Sequence, residues 1–389
     1  MPLKRTAIAI ALLGCSSNPV APFDAGADAT PNETSTQDVT TSDVVDAPAP
    51  LPPTCLAANP NDNVADDDML QACLDQGGVV RLEPGTPGYL LAKGLTVSKD
   101  GTRITSTSTT RARLQAEPAL AAPLLTMTNR ANVAISFLEF DGNRPARTGI
   151  ATCKGYRIFG TNVAIEGSQN FQFTDNRSTH AMCGSALQVN GTSFEIARNL
   201  IDDNGHGREA VDAPEPWSDG ITLGLCSGGN VHDNDVVDAT DIAIVDGGGA
   251  GCQIVNNTIQ ATSRHAFAGI ALHVFIAEGN GDHTGTVVKS NHISSGPGLM
   301  TFGLSIGMHS WAPTTTAKGG TVTNNVVTGA LVDLQVDGVD GVTVSGNAIG
   351  TTSGAPGCGG TAAAYTTAHA TTSNLQSGGT PHVYDGCIP

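Results

Sequence analysis

GCQIVNNTIQ, residues 251–260, sets Asn256 and Asn257 between Ile254 and Val255 on one side and Ile259 on the other. Asparagine is depleted in strands, yet the flanks read as strand. The pattern of an apolar residue, an asparagine three positions on, and a small or aliphatic residue two beyond that recurs along the chain. It returns at Asn176, Asn199, Asn234, Asn257, Asn291, Asn325 and Asn347. The intervals are 23, 35, 23, 34, 34 and 22 residues, so a coil of 22–23 residues, sometimes carrying an insertion of about twelve, accounts for all of them. Self-similarity at this period indicates a solenoid.

Residue type chooses among solenoids. Each coil holds short alternating runs rich in Val and Ile and broken by Gly, Asn and Asp, with no Leu or Ala at helical spacing. An all-β, single-stranded right-handed parallel β-helix meets these requirements. One asparagine per coil then occupies the same corner, where it is expected to take a left-handed backbone conformation. Stacked copies would hydrogen-bond down the solenoid and satisfy their own buried amides.

A further strand recurs as ALQV (186–189), GITL (220–223), DIAI (241–244), GIAL (269–272), GLSI (303–306) and DLQV (333–336). With the two aliphatic residues of each taken as inward, alternation turns the others outward. Thr222, Asp241, His273, Ser305, Asp333, Gln335 and Asp337 should then line one outer face.

The start of the repetitive part carries a resemblance. DDDMLQACLDQGGVVRLEPGTPGYLLAKGLTVSKDGTRITSTS, residues 66–108, resembles the N-terminal module of the pectin-lyase-like β-helix superfamily. The resemblance covers about residues 60–350. It implies a short capping helix, with Asp66–Asp68 at its positive end and Met69, Leu70, Cys73 and Leu74 on an apolar face. Residues 55–116 then form the cap and first coils, 117–350 the β-helix, and 351–389, which lack the repeat, a C-terminal cap. The superfamily holds lyases, hydrolases, epimerases, adhesins and proteins without activity, so fold does not choose function.

The N-terminus reads as a targeting segment. Lys4 and Arg5 precede a short apolar run that ends LLGC, which resembles a bacterial lipobox. The resemblance implies a signal peptide over residues 1–15, lipidation of Cys15 and an exported protein anchored at the outer membrane or cell surface. Residues 16–54, rich in Pro, Thr, Ser, Ala and Asp, read as a disordered tether. Eight cysteines remain in an exported chain, so disulfides are expected. Sequence proximity pairs Cys55 with Cys73, Cys153 with Cys183, Cys226 with Cys252, and Cys358 with Cys387. The formal charge is −17, which disfavours nucleic acid and leaves the membrane to the lipid anchor alone. The chain reads as a monomer.

Chemistry would sit on the outer face of the second recurring strand, walled by insertions at 202–218, 274–286 and 308–320. Trp217 and Trp311, the two tryptophans of the chain, lie in these insertions as candidate sugar platforms, beside Arg208. WSDGITLG, residues 217–224, resembles the catalytic-aspartate segment of polygalacturonase-type glycosidases, and Asp219 matches that aspartate. Such enzymes need two converging carboxyls. Asp241, 22 residues on, is the other carboxylate, but its place immediately before Ile242 turns it to the opposite face from Asp219. The family's Gly-His-Gly is replaced by FAGI at 267–270, with His265 three residues upstream of the expected histidine. Lyase chemistry would instead call for calcium, with Asp202, Asp203 and Asp219 as oxygen donors and Arg208 as base. No cofactor is otherwise specified, and no spacing marks a metal site.

The outward positions suggest a third arrangement, Asp241 with His273 one coil away as an acid–base pair. Arg264 and His265 lie in the turn before it, and Thr222 and Asp337 on the same face. EFDGNR, 139–144, reads as a turn with Asp141 and Asn143 bonding local backbone and Arg144 facing a ligand. The expectation is a glycan-binding β-helix, either an enzyme acting on polysaccharide or a non-catalytic surface protein.

Overall fold

In the coil that contains GCQIVNNTIQ, Gln253–Val255 and Thr258–Ala261 form two strands, and Asn256 and Asn257 make the corner between them. The computed structural model describes residues 58–147, Cys153, 160–206, 217–273, 279–307 and 316–350, and the backbone of the strand Ala363–Ala370. The same corner repeats in coil after coil. Three parallel sheets of 10, 10 and 11 strands result, each strand pairing with its counterpart one coil away. The architecture is the expected right-handed parallel β-helix.

The first sheet runs from Val79–Leu82 to Thr343–Ser345, the second from Tyr89–Leu91 to Ala348–Ile349. The third, which contains the second recurring strand of the sequence, begins at Leu95–Val97. Its last paired strand, Ala363–Ala370, falls in the segment expected to be a cap and extends the sheet beyond Val332–Asp340. Inward columns such as Ile196, Val231, Ile254 and Val288 stack in register and are fully buried. The hydrophobic effect therefore acts along one continuous lumen. Among the described residues no helix is long and apolar enough to cross a membrane.

The asparagine column forms the expected ladder. Asn257 Nδ2 donates to Val231 O of the preceding coil at 3.0 Å and to Asn291 Oδ1 of the next at 2.9 Å. Its Oδ1 accepts from the backbone N and Nδ2 of Asn234 at 3.1 and 2.9 Å. The carbonyl that each asparagine uses belongs to the apolar residue of the sequence pattern, one coil back. The backbone assignment differs from expectation, because the ladder asparagines do not have positive φ. The residue before each one does: Asp175, Arg198, Asp233, Asn256, Ser290, Asn324 and Gly346, with φ between 53 and 67°. One residue must reverse the chain, which frees the next to aim its amide inward.

The capping helix is Asp67–Leu74. Leu70, Cys73 and Leu74 are buried against the first coil, whereas Met69 is exposed. Asp66 and Asp67 accept from the backbone of Leu90 and Ala92 and so tie the helix to the second sheet. Two of the expected disulfides are present, Cys153–Cys183 and Cys226–Cys252. Cys73 is disulfide-bonded. Cys15, Cys55, Cys358 and Cys387 lie outside the described residues, as do residues 1–54.

Candidate functional site

The outer face of the third sheet is divided into two halves. In its first four coils, Leu95–Val97, Leu125–Thr128, Val163–Gln169 and Gly184–Thr192, outward residues reach solvent, with the exception of the buried Ala164. Thr96 and Thr128 are exposed, and Thr126, Glu166, Gln188 and Asn190 are half-buried. Thr96 and Thr126 hydroxyls meet at 3.0 Å, and Gln188 Nε2 donates to Glu166 Oε1 at 3.1 Å. From Ser218–Ser227 onward the face is covered. Ile242, Val245, Phe267, Phe302 and Val332 form a second apolar cluster there, separate from the lumen. The column expected to be polar reads Thr222, Val245, Ala271, Ser305 and Gln335 in register. All five are buried.

At the leading edge of this sheet, where the chain arrives from the second sheet, charges gather. Three residues sit four positions beyond ladder asparagines, His180, Asp203 and Asp238, and all have positive φ. His180 Nδ1 lies 2.9 Å from Asp141 Oδ1 and its Nε2 3.3 Å from Asp203 Oδ2. Arg113 pairs with Asp141, and Arg144 and Arg264 close on Asp203 at 2.8 and 2.5 Å. Hydrogen bonds to Asp141 and then Asp203 raise the His180 pKa to about 9. Burial pushes Asp141 up, but His180, Arg113 and the Asn143 N–H outweigh it and bring the carboxyl to about 2. Asp203 also falls well below the usual carboxylate range, its burial outweighed by His180 and Arg144. With both ring nitrogens facing carboxylates, His180 is an imidazolium with no lone pair, so it is a staple across coils and no general base.

Asp238 accepts from the backbone and hydroxyls of Thr262 and Ser263 and from the Arg264 N–H. That turn carries Arg264 to Asp203 and to Gly205 O at 3.2 Å. Arg264, expected to bind ligand, thus serves the network. Arg144 does as well: it is 7 % exposed and also donates to Asp203 O and Gly205 O. Asp141 accepts from the Asn143 N–H, as the turn predicted.

Three of the four candidate catalytic residues share this leading edge. Asp219 opens Ser218–Ser227, Asp241 precedes Ile242–Asp246, and His265 precedes Ala266–Leu272. Asp219 Oδ2 accepts from the Thr222 hydroxyl at 2.7 Å and Oδ1 from the Ile242 N–H at 3.1 Å. The Thr222 hydroxyl is also 2.6 Å from Ser185 Oγ. Both carboxylate oxygens are therefore engaged, Oδ2 within its own strand and Oδ1 to the next coil. His273 stands at the trailing edge instead. Asp219 is level with Ile242 and Ala268, while His273 lies five residues beyond that level, about 17 Å along the strand. Asp241 and His273 are not an acid–base pair. Asp337 is on the level of His273, and Trp217 stands half-buried at the leading edge. Arg208 and Trp311 lie outside the described residues.

The pairing differs from expectation at one coil. DIAI offers Ile242 and Ile244 as an inward pair, but Ile221 pairs with Ile244 and Leu223 with Asp246. Asp246 therefore occupies an inward column that holds Leu272, Ile306 and Val336 in later coils. It is fully buried, accepts from Gly248 N, and faces His283 Nδ1 at 3.1 Å. His283 Nε2 donates to His273 O at 3.1 Å, which anchors the returning end of the 274–286 insertion. Burial raises the Asp246 pKa against the pull of His283. Asp333, expected outward, is in register with Gly303 and has no exposure. Neither of its oxygens has a hydrogen bond of normal geometry, and burial raises it to about 7 against the nearby N–H groups of Gly350 and Ala330.

The calcium donors do not fit. Asp202 is held by Arg177 at 2.7 Å, Asp203 by two arginines and His180, and Asp219 by Thr222 and Ile242. Among the described residues no group of three His, Cys, Asp or Glu is placed to hold a metal ion.

Solved structures share the fold. An exopolygalacturonase from Thermotoga maritima matches with a TM-score of 0.51 at 11% identity, covering 75% of this chain and 84% of its own. A tailspike protein of E. coli bacteriophage HK620, in complex with a hexasaccharide, matches with 0.50 at 13% identity. That match covers 79% of this chain and 56% of the tailspike. At such identities the likeness is one of fold. No protein-family model and no curated protein sequence matches the chain.

Proposed function

We propose that the chain is a glycan-binding β-helix, exported and anchored through Cys15, with residues 16–54 as the tether. The solvent-open half of the third-sheet face is its binding surface. The observation that carries this is a polar, solvent-reaching row, Thr128, Glu166 and Asn190, in register on three successive coils, beside a second row of Thr96, Thr126 and Gln188 that the buried Ala164 interrupts. The hexasaccharide held by the tailspike of like fold supports a glycan. Binding without turnover accords with the engagement of Asp219 and the saturated His180.

A second function, polysaccharide cleavage or epimerisation, is favoured by one observation: Asp219, Asp241 and His265 share the leading edge. The test is a polysaccharide panel presented to the full chain, with and without calcium. Retention on polymer is followed together with reducing ends and absorbance of unsaturated products. Retention with no product is the expected outcome. Product formation that is lost in Asp241→Ala and His265→Ala would establish the enzyme instead.

A further inference from the structure

We infer that the ligand of the open third-sheet face is a neutral, linear glycan that lies across the coils and is held by hydrogen bonds, with no aromatic platform among the described residues. This rests on the glycan-binding function proposed above and narrows its ligand.

Among the described residues, the side chains that reach solvent on these strands are Thr96, Thr126, Thr128, Glu166, Gln169, Gln188, Asn190 and Thr192. None is a cation. A chain of uronates would need positive charge repeated at the coil spacing, and here it would meet Glu166. At the rims, Lys93 is held by Asp67 and Asp68, and Arg130 by Asp100 and the carbonyls of Ser98 and Thr128. Lys99 is exposed beside the first coil only. The net charge of −17 adds long-range repulsion of polyanions.

The polar groups are of both kinds, as sugar hydroxyls require. Thr126 donates to Leu95 O, so Thr96 donates to Thr126 and keeps its oxygen lone pairs outward. Gln188 uses one N–H on Glu166 and keeps its carbonyl oxygen. Among the described residues of these coils, Phe140, Phe171, Phe173 and Phe194 are buried, and Phe137 is half-buried at the corner between the first and second sheets, away from this face. Each sugar therefore gains hydrogen bonds whose net value is modest, and affinity accumulates along the chain. An extended pyranose chain advances by roughly the ~5 Å that separates coils. Four coils are open, so about four sugars are engaged.

The test is calorimetric titration of the full chain with defined neutral oligosaccharides (gluco-, manno- and xylo-series, two to eight residues) and matched oligogalacturonates, at low and high salt. Neutral chains are expected to tighten by about fivefold per sugar up to about four and then level off, with no salt dependence. Thr126→Val with Gln188→Leu should weaken binding at least tenfold, while Thr105→Val with Ser136→Ala on the first sheet should leave it unchanged. Uronates that bind more tightly at low salt and weaken with salt would overturn the neutral ligand and leave glycan binding standing. Binding independent of length, or indifferent to Thr126 and Gln188, would overturn the coil-by-coil contact. Binding of neither class would remove the glycan-binding function itself.

Discussion

Replacing Asn257 by alanine should cost about 4 kcal/mol, more than its position at a corner would suggest. The side chain makes four hydrogen bonds, two accepted from Asn234 and two donated to Val231 O and Asn291 Oδ1, and has no exposure. Alanine deprives the Asn234 backbone N–H of its ladder partner, at ~1–3 kcal/mol for a buried orphan, and removes three further bonds at ~0.5–1.5 kcal/mol each. Asn347 is the last ladder asparagine among the described residues and is 7 % exposed. Among the described residues its side chain makes three such bonds, two accepted from Asn325 and one donated to Val322 O, and it is partly open to water, so Asn347→Ala should cost about half as much. Asn256→Gly should be nearly neutral, since that residue supplies only the positive φ of 57°. Urea unfolding followed by circular dichroism gives all three values. An Asn257→Ala cost below about 1 kcal/mol, or no larger than that of Asn347→Ala, would refute the ladder as a cooperative element.

Three further outcomes are expected. His180 has a folded pKa near 9 against an ordinary value of 6.5, so its contribution is complete below pH 6.5 and lost as pH rises through 9. Urea melts of wild type and His180→Ala should differ by up to about 3 kcal/mol at pH 6 and converge near pH 10. Asp333 is raised to about 7, so the folded state loses stability as pH rises from about 4 through 7. Asp333→Asn should therefore be more stable by up to about 4 kcal/mol at pH 8, with no such advantage at pH 4. Replacing both Cys226 and Cys252, which close a 26-residue span, by serine should cost about 3 kcal/mol in the same assay.

What the sequence could disclose was local or periodic. The ladder, the coil length, the positions of the insertions and two disulfides all follow from residue types at a fixed interval. The column four residues beyond the ladder was legible too, because His180, Asp203 and Asp238 repeat at 23 and 35 residues, as the asparagines do. Its signal is weak because polar residues in a turn carry no hydrophobic pattern. Asp141 could not be linked to His180 in this way, since they meet across 39 residues, one coil that carries an insertion, and no ladder asparagine precedes Asp141.

Tertiary structure alone decided the rest. Alternation in DIAI admits two registers, and only the pairing of Ile221 with Ile244 sends Asp246 into the lumen and parts Asp241 from the level of His273. Whether a face is open depends on what packs over it, which no strand encodes in itself. The third sheet is polar and accessible at Gln188, and buried one coil later at Thr222. Repetition along the chain determined the solenoid, because every coil must satisfy the same backbone and bury the same columns. The site depended on where repetition breaks, and those breaks acquire meaning only when distant coils are stacked.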